Sequence, residues 1–227
     1  MIELMHQSDL GFATEVDALS GGECETILQI LSGSSVLHSR AGARHLMSHP
    51  AVAEIARDSR LISIASRWLG LEAQPFRATL FEKSTQSNWL VPWHQDTALP
   101  LESVFEEPGW GPWSEKYEVR YAHAPSWALS RVIALRLQLD DSTAENGPLR
   151  VIPKSHLNGV LSDQSVLEYV KDREPVECLA PRGGVIAMRP LLIHSSSKAR
   201  SDEPRRVLHI EYADSLDLAP GIRLAVS

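Results

Sequence analysis

From Ala78 onward the chain falls into short apolar runs of strand length, each cut by glycine or proline, and this punctuation constrains the fold more than any other feature. The clearest run is Val132 to Leu139. Leu135, Leu137 and Leu139 fall on one face and Arg136 and Gln138 on the other, which is the period of two of a strand. Ala78–Lys83, Leu149–Ile152, Val185–Met188, Leu191–Ser196 and Arg205–Tyr212 read the same way, with Gly147, Gly159 and Gly183-Gly184 between them. Short strands after a helical start predict a mainly β chain with flanking helices, a β-sandwich or jelly roll with the helices packed outside.

The helical part covers residues 1–70. Ser20 is suited to cap a helix running through Leu31, with Gly33 as its stop. A second helix is expected from Pro50 to Leu69, where Val52, Ile55, Ala56, Leu61, Ile64, Ala65 and Trp68 recur with helical period and Gly70 follows. A chain of 227 residues, 43% of them hydrophobic, can bury one substantial core, so residues 1–227 read as a single domain with its jelly-roll core at 71–215. Residues 97–130 interrupt the strand pattern with Trp110, Trp113, Trp127 and the run Pro108-Gly109-Trp110-Gly111-Pro112-Trp113. Such a segment is too long and irregular for a hairpin turn and reads as a lid-like loop, while its tryptophans argue against disorder.

Several classes are disfavoured. The net charge is −7 and no Lys/Arg run occurs, which argues against a nucleic-acid partner. No apolar stretch approaches the roughly 20 residues that span a bilayer. The stretch Met1–Leu10 carries Glu3, His6 and Asp9 and lacks a basic, apolar leader. Cys24 and Cys178 form no CxxC pair and read as buried thiols, so the expectation is a cytoplasmic protein. Oligomeric state leaves no signal.

The chemistry concentrates in a few residues. His94 and Asp96 are two apart in Trp93-His94-Gln95-Asp96, and in an extended segment such residues share a face. With a distant histidine they would complete a 2-His-1-carboxylate triad, which leaves positions open on iron(II). Taken alone the pair is weak, because nine histidines make such spacings common by chance. His209-Ile210-Glu211 offers the same geometry but sits inside a long alternating strand, where a supporting role is commoner. His194 ends an apolar run, with Ser196 two residues on and Arg205 eleven residues on. A guanidinium on a strand suits a carboxylate, since its fork bonds both oxygens; a surface salt bridge to Asp202 or Glu203 is the plainer alternative.

From about Arg77 to Asp214 these elements together resemble the phytanoyl-CoA dioxygenase family of iron(II)/2-oxoglutarate oxygenases. The resemblance is carried by Trp93-His94-Gln95-Asp96, Leu137-Gln138-Leu139-Asp140-Asp141, the block Glu145-Asn146-Gly147-Pro148-Leu149-Arg150-Val151-Ile152-Pro153-Lys154-Ser155-His156, and His194 with Ser196 and Arg205. It implies a double-stranded β-helix, the cupin-like form of the jelly roll. It implies His94, Asp96 and His194 as iron ligands, and Arg205 and Ser196 as holders of the distal carboxylate of 2-oxoglutarate. It also implies that Arg136, Gln138 and Thr79 approach that co-substrate. The stretch Pro108–Ser114 resembles a bacterial subgroup. One position departs from the pattern: the usual Pro-Gly-Ser-His turn reads Pro153-Lys154-Ser155-His156, and a lysine there must either adopt φ > 0 at a cost or force another turn.

The activity this implies is hydroxylation of a small organic substrate with O2 as oxidant and release of succinate and CO2. Asp96 favours hydroxylation over halogenation, since related halogenases carry a small residue at that position. The alternative is a cupin-like protein that binds metal or ligand without this reaction. Gln95, Trp110, Trp113 and Lys116 are candidate substrate contacts; the competing reading is packing for the tryptophans and solvated charge for Lys116 and Arg120. Asn146 and His156 read as turn-stabilising residues.

Overall fold

Two sheets face one another, and the helices cover the outer face of the larger. The computed structural model describes residues 9–33, 38–39, 42–84 and 87–227; the stretch before Asp9, read above as lacking a leader, lies outside them. The chain begins with β1 (Phe12–Glu15), α1 (Gly21–Gly33), β2 (His38–Ser39) and β3 (Gly42–Ala43). Next come α2 (Pro50–Ala56), α3 (Ser59–Leu69), β4 (Gln74–Lys83) and β5 (Val91–His94). The segment predicted as a loop holds β6 (Ala98–Leu101), β7 (Trp113–Lys116), β8 (Val119–His123) and α4 (Ser126–Leu129). Then follow β9 (Val132–Gln138), β10 (Leu149–Val151), α5 (Asp163–Val170), β11 (Val176–Cys178), β12 (Val185–Met188), β13 (His194–Ser196), β14 (Arg205–Ala213), β15 (Asp217–Ala219) and β16 (Ile222–Arg223).

Local chemistry explains the helix ends. Ser20 Oγ accepts from the Glu23 amide at 3.3 Å while Glu23 Oε2 accepts from the Ser20 amide at 2.7 Å, a reciprocal cap at the start of α1. Gly70 closes α3 in the left-handed region, φ 74°. The single helix expected over Pro50–Leu69 is instead two. Asp58, at ψ 130°, leaves the helical region and accepts from the Arg60 amide, so it starts a second helix. Its carboxylate and that of Glu23 both hold the Arg60 guanidinium, tying α3 to α1.

The seven-stranded sheet has the order β1-β12-β9-β14-β4-β3-β2, and the four-stranded sheet β11-β10-β13-β5. Alternation along β9 sorts its residues as predicted. Ile133, Leu135 and Leu137 pack with Ile27, Leu31, Leu61 and Ile64 of the helices. Each fully buried leucine there contributes about 1.5–3 kcal/mol. Ala134 faces the other way and joins Ile186 and Met188 against Leu149 and Val151 of the smaller sheet. Arg136 is buried on this inner side too, so the space between the sheets is apolar at one end and polar at the other. The run Leu191–Ser196 is strand only over its last three residues; Leu192 donates to Arg189 O at 3.0 Å and closes a buried turn first.

Residues 97–130 are not loop alone: within the segment a small three-stranded sheet and a short helix are ordered. Strands β6, β8 and β7 pair antiparallel in that order, packing Leu99, Leu101 and Ala122 with Phe76 and Leu224. The β7–β8 hairpin turns on Tyr117 and Glu118 at φ 51° and 63°. Two residues at positive φ suit a tight hairpin, and the sequence hid it because neither is Gly or Asn.

Candidate active site

Strand β5 pairs with β13 so that His94 lies directly opposite His194, with ring centroids 4.2 Å apart. Asp96 follows β5, its amide donating to Pro190 O at 2.9 Å. Each imidazole donates its Nδ1 proton to the carbonyl two residues before it: His94 to Pro92 at 2.8 Å, His194 to Leu192 at 2.9 Å. A carbonyl can only accept, so these bonds fix the tautomer and leave both Nε2 lone pairs free. The two Nε2 atoms lie 3.6 and 3.5 Å from the two oxygens of Asp96. All three ligand atoms fall within 4.8 Å of one another, and no other such trio occurs among the described residues.

The electrostatics suit a cation. Burial alone would raise the Asp96 carboxyl, but the neighbouring imidazoles outweigh it and hold it well below the usual range. Burial pulls His194 down to about 4, so it is neutral and able to ligate near pH 7. For His94 burial is opposed by the bond to Asp96, and the net shift is upward. The competing pair does not assemble a site. His209 Nδ1 accepts from Arg136 at 3.3 Å, and Glu211 is ion-paired with Arg77.

The triad opens on a cavity of roughly 470 Å³. Its floor is one face of β4, where Arg77, Thr79 and Lys83 stand opposite Glu211, His209 and Arg205 of β14. At the Lys83 end, Ser196 Oγ accepts from Lys83 Nζ at 2.7 Å and from Arg205 Nη2 at 3.3 Å, and donates to Gly147 O at 2.8 Å. Lys83 also donates to Ser197 O, and Arg205 Nε to Asn146 O at 3.3 Å. Gly147 sits at φ 71°, and a Cβ there would stand 2.5 Å from Ser197 O. The Asn-Gly-Pro block is therefore the tight turn that brings backbone carbonyls beneath these cations. Among the described residues no carboxylate pairs with Lys83, Arg136 or Arg205, and Arg136 Nε is buried without a hydrogen-bond partner. Burial, then the neighbouring cations, pushes Lys83 down to about 7 and Arg205 to about 9.

Of the residues singled out from sequence, Thr79, Arg136, Ser196, Arg205 and Lys116 line this cavity with the triad. Gln138 does not; it is buried, and its amide donates to Arg136 O at 2.9 Å. Gln95 lines the cavity, but its side chain is spent on Gly159 O, Leu191 O and the Leu161 amide, which makes it a structural clasp. Trp110 and Trp113 stand away from the cavity and pack edge-on against Phe105, each with centroids at 5.2 Å. Their ring area is spent under the insert, which is the packing alternative. Lys154 keeps the glycine-type turn by adopting φ 65°, and Ser155 Oγ accepts from the Ile193 amide beside His194. Lys83 went unnoticed in the sequence because a lysine closing a strand reads as an edge charge; its place two residues beyond Phe81 and four beyond Thr79 was the available signal.

The sequence model of phytanoyl-CoA dioxygenases (PhyH) matches residues 34–207. This chain belongs to the phytanoyl-CoA dioxygenase family. Membership makes it, by class, an iron(II)- and 2-oxoglutarate-dependent dioxygenase. Among curated proteins it is similar to L-proline trans-4-hydroxylase of Streptomyces griseoviridis, 27% identical in an alignment 214 positions long that covers 83% of this chain and 70% of that one. Among solved structures, EctD from S. alaskensis with 2-oxoglutarate and 5-hydroxyectoine aligns at TM-score 0.69 and 20% identity, over 93% of this chain and 75% of the other. AviO1 from Streptomyces viridochromogenes Tue57 aligns at TM-score 0.68 and 18% identity, over 99% of this chain and 97% of the other. These likenesses place the family member here in the double-stranded β-helix fold. No helix among its described residues is long and apolar enough to cross a membrane.

Proposed function

We propose that this dioxygenase hydroxylates a small organic substrate, with His94, Asp96 and His194 holding iron(II) and the Lys83 end of the cavity holding 2-oxoglutarate. Two imidazoles and one carboxylate, all aimed at one point, are the donor set for a hard-to-intermediate divalent ion with positions left open. When bound, iron and 2-oxoglutarate supply an oxidant able to attack a C–H bond; one oxygen atom of O2 enters the product hydroxyl and the other enters succinate, with CO2 released.

The chain's own residues do the positioning. Arg205 and Lys83 present two cations to one carboxylate, and Ser196 is bonded to both, so it fixes their spacing. Arg136 stands opposite His209, with its unpartnered Nε available to the same co-substrate. The Nδ1 bonds to Pro92 and Leu192 hold both imidazoles in the ligating tautomer. The insert 97–130 covers the cavity through Lys116 and Tyr121 and would limit water at the metal. L-proline, the substrate in the name of the Streptomyces relative, gives the size of molecule we favour. The whole chain acts as one catalytic domain on this reading. Cys24 and Cys178 are free buried thiols, which fits work in the cytoplasm.

The observation that carries the proposal is the convergence of a preset ligand trio and unpaired buried cations on one cavity. Purified protein given iron(II) and 2-oxoglutarate should show a visible absorption band without oxygen and release succinate in air. Absence of both removes the oxygenase reading; oxidation of a substrate that proceeds without 2-oxoglutarate favours another metal-dependent reaction.

A further inference from the structure

The cavity is cationic at its other end as well. Arg77 and Lys83 share one face of β4 six residues apart, which at ~3.3 Å per residue is about 20 Å. Thr79 and His209 lie between them. Asp96 is close enough to His209, Arg136 and Arg77 to interact with the charge of each, so the ligand trio stands in the middle of the cavity. Co-substrate extending from the trio to Lys83 and Arg205 leaves the Arg77 end for the molecule to be oxidised.

At that end Arg44, Lys116 and Tyr121 join Arg77 in the wall. Arg77 is already neutralised: its Nε is ion-paired with Glu211 and its Nη1 donates to Ala98 O at 3.0 Å. Arg44 and Lys116 are different, since no carboxylate among the described residues pairs with either. Tyr121 is buried and orders this wall, with Arg77 and Lys116 over its ring at 5.8 and 5.6 Å and its hydroxyl 3.4 Å from His45 Nε2. A chain with a net charge of −7 thus places two exposed cations, neither paired with a carboxylate among the described residues, on one side of its cavity. Such a wall attracts an anion and rejects a cation.

We propose that the primary substrate is a small carboxylic acid, anchored through its carboxylate by Arg44 and Lys116 with its reacting carbon carried to the ligand trio. This rests on the oxygenase reading above. The Arg77 rung is two residues from the Thr79–His209 rung, about 7 Å along the strand. That span is a few carbon–carbon bonds and suits an acid of amino-acid size rather than a long acyl chain.

The test uses the iron(II)-loaded protein with 2-oxoglutarate. It is titrated without oxygen with L-proline and a set of short amino and hydroxy acids, and with the matching primary amides, following the visible band; succinate is then measured in air. At least one acid should perturb the band and raise succinate release, its amide needing at least about tenfold more to do so. The double variant R44Q/K116Q should raise that acid's midpoint by about tenfold or more. R120Q removes an exposed cation of β8 that does not line the cavity and should leave the midpoint unchanged. Amides as effective as acids, an unmoved midpoint in the double variant, or no response to any acid while the band is present would each overturn the anchor. A wild-type protein without the band fails the oxygenase reading first and takes the anchor with it.

Discussion

Lys83 and Arg205 are register partners on β4 and β14, and both reach the same hydroxyl, that of Ser196. Two buried cations held side by side without a carboxylate are costly unless an anion joins them. On the proposed reading, the co-substrate carboxylate is the anion that completes this end of the cavity.

Removing either cation should weaken co-substrate binding without dismantling the sheet. R205A, losing a charge-assisted contact worth about 1.5–3 kcal/mol, should raise the 2-oxoglutarate Kd roughly tenfold to hundredfold. K83M should raise it as well while making the protein free of ligand no less stable, because it removes a buried charge. Anaerobic titration of the visible band reads the first effect and thermal melting the second. An unchanged Kd in both variants would assign the carboxylate to Arg136 instead.

Lys83 also sets a pH dependence. Its folded pKa is about 7 against 10.5 for an ordinary lysine. Between these values the unfolded chain holds a proton that the folded chain has released, so folding stability rises with pH across that window. Below pH 7 the full cost of the buried charge is present. The Tm of the protein without ligand should therefore climb from pH 7 to 9, K83M should flatten the rise, and 2-oxoglutarate should reduce it by holding the proton on. A wild-type slope retained in K83M would show that other groups cause it.

D96A should abolish hydroxylation by removing one ligand from the trio. The fold should persist, since Asp96 lies beyond the end of β5 and its amide bond to Pro190 O is a backbone one. Iron content after dialysis should fall to background with an unchanged far-UV circular dichroism spectrum. Wild-type iron retention would exclude Asp96 as a ligand.

Two turn positions make opposite predictions. Lys154 is a lysine at φ 65°, and K154G should stabilise the protein by about 0.5–1 kcal/mol by relieving that strain, read as a shift in the urea midpoint. Gly147 is already at positive φ, and an added Cβ would meet Ser197 O at 2.5 Å and Lys83 Nζ at 3.2 Å. G147A should cost about 1–3 kcal/mol and weaken 2-oxoglutarate binding together.

Much of this architecture was legible in the sequence where one physical rule acted alone. The alternation of β9 separated Leu135 and Leu137 from Arg136 by face, while the inward direction of Arg136 came only with the family resemblance. His94, Asp96 and His194 were named by their spacing only with help from the family resemblance, because no local rule says that β5 and β13 will be neighbours. What escaped were places where side chains compete with the pattern. Asp58 broke a helix by bonding the Arg60 amide, Tyr117 and Glu118 turned a hairpin without glycine, and Gln138 took the expected face but turned its amide onto the backbone. Lys83 was invisible because burial of a charge is a property of the assembled cavity, not of the segment that carries it.

Only Thr97 separates Asp96 from β6, and Thr97 is itself clasped by the far end of the insert, its carbonyl accepting from the Ala124 amide at 2.8 Å and its hydroxyl lying 2.6 Å from His123 Nδ1. The segment carrying Lys116 and Tyr121 thus leaves and rejoins the scaffold at one clamp beside Asp96. The opposite end of the cavity is built from strands that never enter that segment. On the proposed reading, the substrate end of the cavity can be altered within this clamped segment without touching the strands that carry Lys83 and Arg205.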